Sequence, residues 1–150
     1  MLYFGAKASK NMVKKNKNEM DWIDHYGFIL VAYAHMTDWY LADSELQVIT
    51  EKMEFMLSSS NQPYDSDQVA QKLIKVISRY ESYKEEDDKM EALFKSCTTL
   101  NKEPWFDNLA SVMLLENLAE IAEADRKIEE TEIQFLKNIA DVFAVGPPRI

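Results

Sequence analysis

Two stretches of this chain spell the same helix–turn–helix at a constant spacing of 87 residues: 34–49, AHMTDWYLADSELQVI, and 121–136, IAEADRKIEETEIQFL. Three identities hold the register, Asp38 with Asp125, Glu45 with Glu132 and Gln47 with Gln134. The apolar positions superpose as well: Leu41 with Ile128, Leu46 with Ile133, Ile49 with Leu136, Met53 with Ala140, and Met56 with Phe143. An acidic turn between two amphipathic helices, written twice, predicts a helical domain with an internal pseudo-twofold repeat.

Composition supports helix throughout. Only 3 Gly and 4 Pro occur in 150 residues, too few for the turns of an all-β chain, and 47% of residues are hydrophobic, enough for one well-packed domain. Leu, Met, Ala, Glu and Lys fill the periodic stretches, and these are strong helix formers. The expectation is an all-α fold of about six to seven helices in a single domain spanning 19–150.

Charge is unevenly spread. Residues 1–18 hold Lys7, Lys10, Lys14, Lys15 and Lys17 and no acid, a charge of +5, so the rest, with 12 bases and 26 acids, carries −14 and the whole chain −9. Such an acidic body repels phosphate backbones, which argues against nucleic acid as a partner. The leader is expected to be a basic, mobile terminus able to touch an anionic membrane surface or an acidic protein. The single Cys97 has no intrachain partner and falls on the stripe of Met90, Leu93 and Phe94, which suits a buried thiol in a reducing compartment. No apolar run approaches the ~20 residues needed to span a bilayer, and lysines follow the short MLYFGA start. A cytoplasmic location is expected.

The periodicity predicts helices over about 19–37, with Trp22, Tyr26, Ile29, Leu30 and Tyr33 apolar nearly all round, and over 43–58, with Leu46, Ile49, Met53 and Met56 inward. After the break at 58–63, Asp65 and Gln68 form a capping-box pair opening a third helix, with Val69, Leu73, Val76, Ile77 and Tyr80 as its stripe. Ser82 with Glu85 offers a second such pair, so 66–96 reads either as one bent helix or as two. The acidic run 85–88 suits a solvated first turn. A connector over 98–103 precedes a helix over 104–124 that Pro104 would open, carrying Phe106, Leu109, Met113, Leu118 and Ile121. A last helix over 129–144 carries Ile133, Leu136, Ala140 and Phe143, with Gly146 as its left-handed terminator and Pro147 and Pro148 beyond.

An Asp at a helix C-terminus meets carbonyls that already carry negative charge, so finding one in both copies needs a reason. One reason is structural: its carboxylate accepts from amides left free at the start of the next helix, and the Glu seven residues on lies in that helix's first turn. The other is ligation of a hard divalent cation by oxygens at both ends of the turn, with Asp38, Glu45, Asp125 and Glu132 as the candidate metal ligands. A calcium-binding EF-hand loop is excluded, because its alternating carboxylates and central Gly are missing: Trp39, Tyr40, Leu41 and Ala42 follow Asp38, and Arg126, Lys127 and Ile128 follow Asp125.

The pieces Thr37-Asp38-Trp39-Tyr40-Leu41 with Glu45, and Ala124-Asp125-Arg126-Lys127-Ile128 with Glu132, resemble the twice-used turn of the TerB tellurite-resistance family. The TerB-like N-terminal domain of DjlA-type co-chaperones shares that turn. The resemblance covers about 22–58 and 106–145 and departs from the family at its Gly, replaced here by Trp39 and Arg126. It implies a pseudo-twofold helical domain, acidic turns associated with metal binding, and a role in a bacterial stress-response or membrane-associated assembly.

Catalytic signatures are sparse. With only His25 and His35, no Ser–His–Asp or Cys–His arrangement can be argued, and 3 Gly leave no phosphate-cradling loop. A metal-dependent enzyme would need His35 and Asp38 to meet the row Glu116, Glu120 and Glu123. Trp22, Trp39 and Trp105 are core candidates, except that Trp39 sits in a turn and could anchor a partner. The expectation is a non-enzymatic module, with or without a divalent metal ion as its sole cofactor, that works by holding other proteins. A metal-free scaffold is the alternative.

Overall fold

The computed structural model describes residues 19–38, 40–60, 64–124 and 129–148, the side chains of Thr37 and Asp38 excepted. Trp39, the basic leader and the residues 125–128 lie outside these. Among the described residues the regular structure is six helices: α1 Trp22–Asp38, α2 Asp43–Ser59, α3 Ser66–Ser82, α4 Glu86–Asn101, α5 Asn108–Ala124 and α6 Glu130–Phe143. None of them is long and apolar enough to cross a membrane.

The all-round apolar character of α1 has the expected consequence: it runs through the middle and packs against α2, α3, α4 and α5. Tyr26, Phe28, Met36 and the whole run from Ile29 to Ala34 are buried. Gly27 faces the crossing with α2 and α3, where a β-carbon would stand 3.0 Å from the Sδ and Cε of Met53 and 3.6 Å from Val76 Cγ2. The missing side chain leaves room there for the tip of Met53. The buried Tyr26 hydroxyl is met by Asn117 Nδ2 of α5, and burial holds that phenol well above its ordinary pKa against the pull of the Asn117 bond.

α2 buries Ile49, Met53, Met56 and Leu57, while α3 buries Val69, Val76 and Tyr80. Asp65 and Gln68 form both halves of the capping box, each hydrogen bond being 2.9 Å. Ser82 and Glu85 do not. The Ser82 hydroxyl turns back to the Arg79 carbonyl at 2.6 Å, Tyr83 is extended, and Glu85 is itself the N-cap residue that precedes α4. The stretch 66–96 is therefore two helices, separated where Ser82 closes one rather than opening the next.

Two other ends differ from expectation. Pro104 does not open α5: Phe106 N–H donates to the Glu103 carbonyl in a turn, and Asp107 Oδ1 accepts from Ala110 N–H at 3.0 Å as the N-cap. Of the expected stripe, Phe106, Leu118 and Ile121 are buried; the inward face also takes Ser111, Leu114, Leu115 and Ala122, while Leu109 is 69% exposed. Trp105, expected in the core, is half exposed and stands edge-on to Trp22 at 5.0 Å. At the end of α6 the left-handed residue is Ala144 (φ 55°), not Gly146. Ala144 N–H bonds the Asp141 carbonyl and Val145 N–H bonds the Ala140 carbonyl, both at 3.2 Å, a Schellman closure in which Val145 packs on the core.

α6 is held between α4 and α5, and α2 also lies on α5. α2 starts at Asp43 and α6 at Glu130, the 87-residue spacing seen in the sequence, while α1 and α5 start at Trp22 and Asn108, 86 residues apart. The outer pairings of the two helix pairs α1–α2 and α5–α6 are unequal, however. α2 packs along α5, whereas the reciprocal pair α1 and α6 meets at Tyr33, whose hydroxyl donates to the Glu132 carbonyl at 3.3 Å and whose ring lies 5.4 Å from that of Phe135.

Candidate functional site

Of the four carboxylates nominated from the duplicated turn, two can be placed fully. Glu45 and Glu132 each occupy the third position of their helices, are 2% and 4% exposed, and reach back to the residue before the helix. Glu45 Oε1 accepts from Ala42 N–H at 2.9 Å, and Glu132 Oε1 accepts from Glu129 N–H at 3.0 Å. This is the return half of a capping box, made without a Ser or Thr at the cap. The Asp38 side chain and Asp125 lie outside the described residues. α2 and α6 share no substantial packing, so each glutamate stays with its own turn. Among the described residues no group of three His, Cys, Asp or Glu is arranged to hold a metal ion.

Among the described residues, His35 shares no cleft with Glu116, Glu120 or Glu123. His35 Nδ1 is 2.7 Å from the Tyr80 hydroxyl on α3, and its cleft is lined by Val31, Leu41, Ile77 and Lys89 without any of Glu116, Glu120 or Glu123. Glu116, Glu120 and Glu123 are exposed on α5, and Glu120 pairs with Lys52 at 2.9 Å. Burial pushes the Cys97 thiol up to about 12, so it is a core side chain and a poor nucleophile.

Sequence reasoning missed the strongest polar cluster. Asp21 and Asp24 cap α1 reciprocally: Asp24 N–H donates to Asp21 Oδ1 at 3.0 Å, and Asp21 N–H to Asp24 Oδ2 at 3.1 Å. Asp24 is 1% exposed and pairs with Lys75 of α3 at 2.8 Å, while Lys72 stands 3.2 Å from Asp21 and 3.8 Å from Asp24 Oδ1. That Oδ1 is buried without a hydrogen-bond partner, leaving Lys72 as its nearest counter-charge. Burial raises the Asp21 pKa, but the Asp24 amide and the Lys72 charge outweigh it and hold the carboxyl below its ordinary value. An Asp-x-x-Asp spacing at a helix start is a local capping signal; the lysines 51 residues away carry no such signal.

A second missed pairing is His25 with Ser96, Nδ1 to Oγ 3.0 Å, in a cleft of about 310 Å³ between α1, α3 and α4. Burial keeps this imidazole below its ordinary pKa; Asp24 and Asp21 pull it up, and Arg79 pushes it down again. Elsewhere, Trp105 in the turn before α5 and Leu109 and Val112 in its first turns are apolar side chains exposed by 46%, 69% and 38%. Searches against protein-family models, curated proteins and solved structures found no match to this chain.

Proposed function

We propose that this chain is a non-enzymatic helical interaction module, TerB-like in its two acidic turns, that holds other proteins in a stress-response or membrane-associated assembly. The observation that carries this reading is the exposure of Trp105, Leu109 and Val112. A large aromatic and two aliphatic side chains left in water along one stretch are what a partner's desolvated anchor site needs. The buried, helix-capping Glu45 and Glu132 favour a structural use of the turn carboxylates over a catalytic one. A photo-crosslinking residue at position 109, with exposed position 71 as control, tests the reading in cells. A discrete adduct from 109 that Val112→Asp abolishes is expected; equal labelling from both positions removes the interaction role.

A second reading, a divalent cation at each turn, is favoured by the identical placement of Glu45 and Glu132 87 residues apart and by the TerB resemblance. Calorimetric titration with Ca²⁺, Mg²⁺, Mn²⁺ and Zn²⁺ decides it, using Asp38→Ala and Asp125→Ala as controls. Binding that both substitutions weaken supports ligation, while silence with all four ions leaves only the scaffold.

A further inference from the structure

The body of this protein is strongly acidic, yet two cations line the cleft holding His25. Arg79, from the last turn of α3, and Lys95, from α4, both line it, and Arg79 is close enough to act on the His25 charge. Glu19 also lines the cleft, and the carboxylates of Asp24, Asp21 and Glu103 act on the His25 charge in the opposite sense to Arg79. Met20, Phe28 and Ala92 add an apolar surface beside these charges. Ser96, 3% exposed, holds the His25 ring through Nδ1, so a neutral ring accepting from Ser96 carries its hydrogen on Nε2 as a donor. The Thr99 hydroxyl lies one turn further along α4. Two cations, a fixed imidazole, a hydroxyl and an apolar wall around one concavity are complementary to a particular kind of molecule.

We propose that this cleft binds a small organic anion, a carboxylate or phosphate group on an apolar body. Arg79 and Lys95 take the charge, His25 donates a hydrogen bond, and the apolar body lies against Met20, Phe28 and Ala92. The inference is independent of the exposed apolar side chains at 105, 109 and 112 and of any cation at the turns. An anion beside the imidazole favours its protonated form, so occupancy raises the His25 pKa. His35, in a separate cleft against Tyr80, serves as an internal reference.

The experiment is NMR of the two imidazoles in the full chain, at constant ionic strength, titrated with phenyl phosphate, benzoate and inorganic phosphate. A saturable shift of the His25 signals is expected while those of His35 stay still, with the His25 pKa rising at saturation. The phenyl-bearing anions should bind about tenfold more tightly than inorganic phosphate, because they cover the apolar wall. Arg79→Gln and Lys95→Gln should each weaken binding by about tenfold, and Glu19→Gln should strengthen it by removing a competing carboxylate. Unchanged His35 signals report that these surface variants remain folded. Equal movement of both histidines, a response that never saturates, or full affinity in Arg79→Gln overturns the proposal. Preference for inorganic phosphate over phenyl phosphate overturns the apolar half of it.

Discussion

The two helix pairs α1–α2 and α5–α6 obey the same local rules and end up at different depths. Each second helix begins with a glutamate, Glu45 or Glu132, returning an oxygen to the chain before it. Each buries equivalent side chains, Ile49 and Leu136, Met53 and Ala140, Met56 and Phe143. The first helices diverge. Tyr26, Ile29 and Tyr33 of α1 are wholly buried, while the residues 87 positions on, Met113, Glu116 and Glu120, are half-buried or exposed. The cause is the middle of the chain: α3 and α4 pack against α1, and neither makes a comparable contact with α5. Local chemistry can thus be repeated while the neighbours decide how much of each helix stays wet.

The largest effect should come from exchanging residues at one such pair. Ile29→Glu places an unpaired carboxylate against α1's neighbours and should cost about 4 kcal/mol or more, whereas Glu116→Ile should change stability by no more than about 0.5 kcal/mol. Urea unfolding of both variants measures this, and similar losses would show that α1 and α5 are not differently buried. Next come the shared caps. Glu45→Ala and Glu132→Ala should each cost about 1–2 kcal/mol, since each leaves an N–H without its acceptor and removes a buried side chain. A loss at only one of the two would break the equivalence of the turns.

A smaller gain is expected where the pairs end differently. α6 closes on Ala144 at φ 55°, while α2 closes on Ser60 at φ −84°. Ala144→Gly should therefore raise stability by about 0.5–1 kcal/mol, and Ser60→Gly should not raise it at all. Thermal unfolding of the two variants reads the sign directly. The smallest effect is a pH dependence confined to one pair. His25 is part-buried, and Val112 occupies the position 87 residues on. Because the folded protein holds His25 below its ordinary 6.5, the unfolded chain binds the proton more readily. The contribution of the neutral imidazole is complete above pH 6.5 and declines as pH falls from there towards the folded pKa. His25→Asn should flatten stability across that window; an unchanged slope would assign it to another group.

The regions that were legible in the sequence share a physical character. Helix α2, the capping box of Asp65 and Gln68, and the enclosure of α1 follow from local periodicity and from side chains that bond their own backbone. The misplaced features are those with two locally acceptable answers. Ser82 can cap a following helix or close its own, and it closes its own. Pro104 tolerates a first helical turn, but Asp107 supplies the cap, with Phe106 buried 5.6 Å from the Phe143 ring. Gly146 is free to adopt positive φ, yet α6 ends two residues sooner, at the place where Val145 can reach the core.

By itself the sequence determined that helices form, which faces are apolar, and that a glutamate recurs in the first turn of two of them. These properties are set within a few turns of chain, by periodicity and by groups that need only near neighbours. Only the tertiary structure decided that Lys72 and Lys75 neutralise the Asp21–Asp24 cap, that Ser96 fixes His25, and that Arg79 and Lys95 share its cleft. Those partners come from helices 51 to 71 residues away. Their pairing depends on how α3 and α4 settle against α1, a choice made by summed side-chain packing over the whole core and by no single local signal.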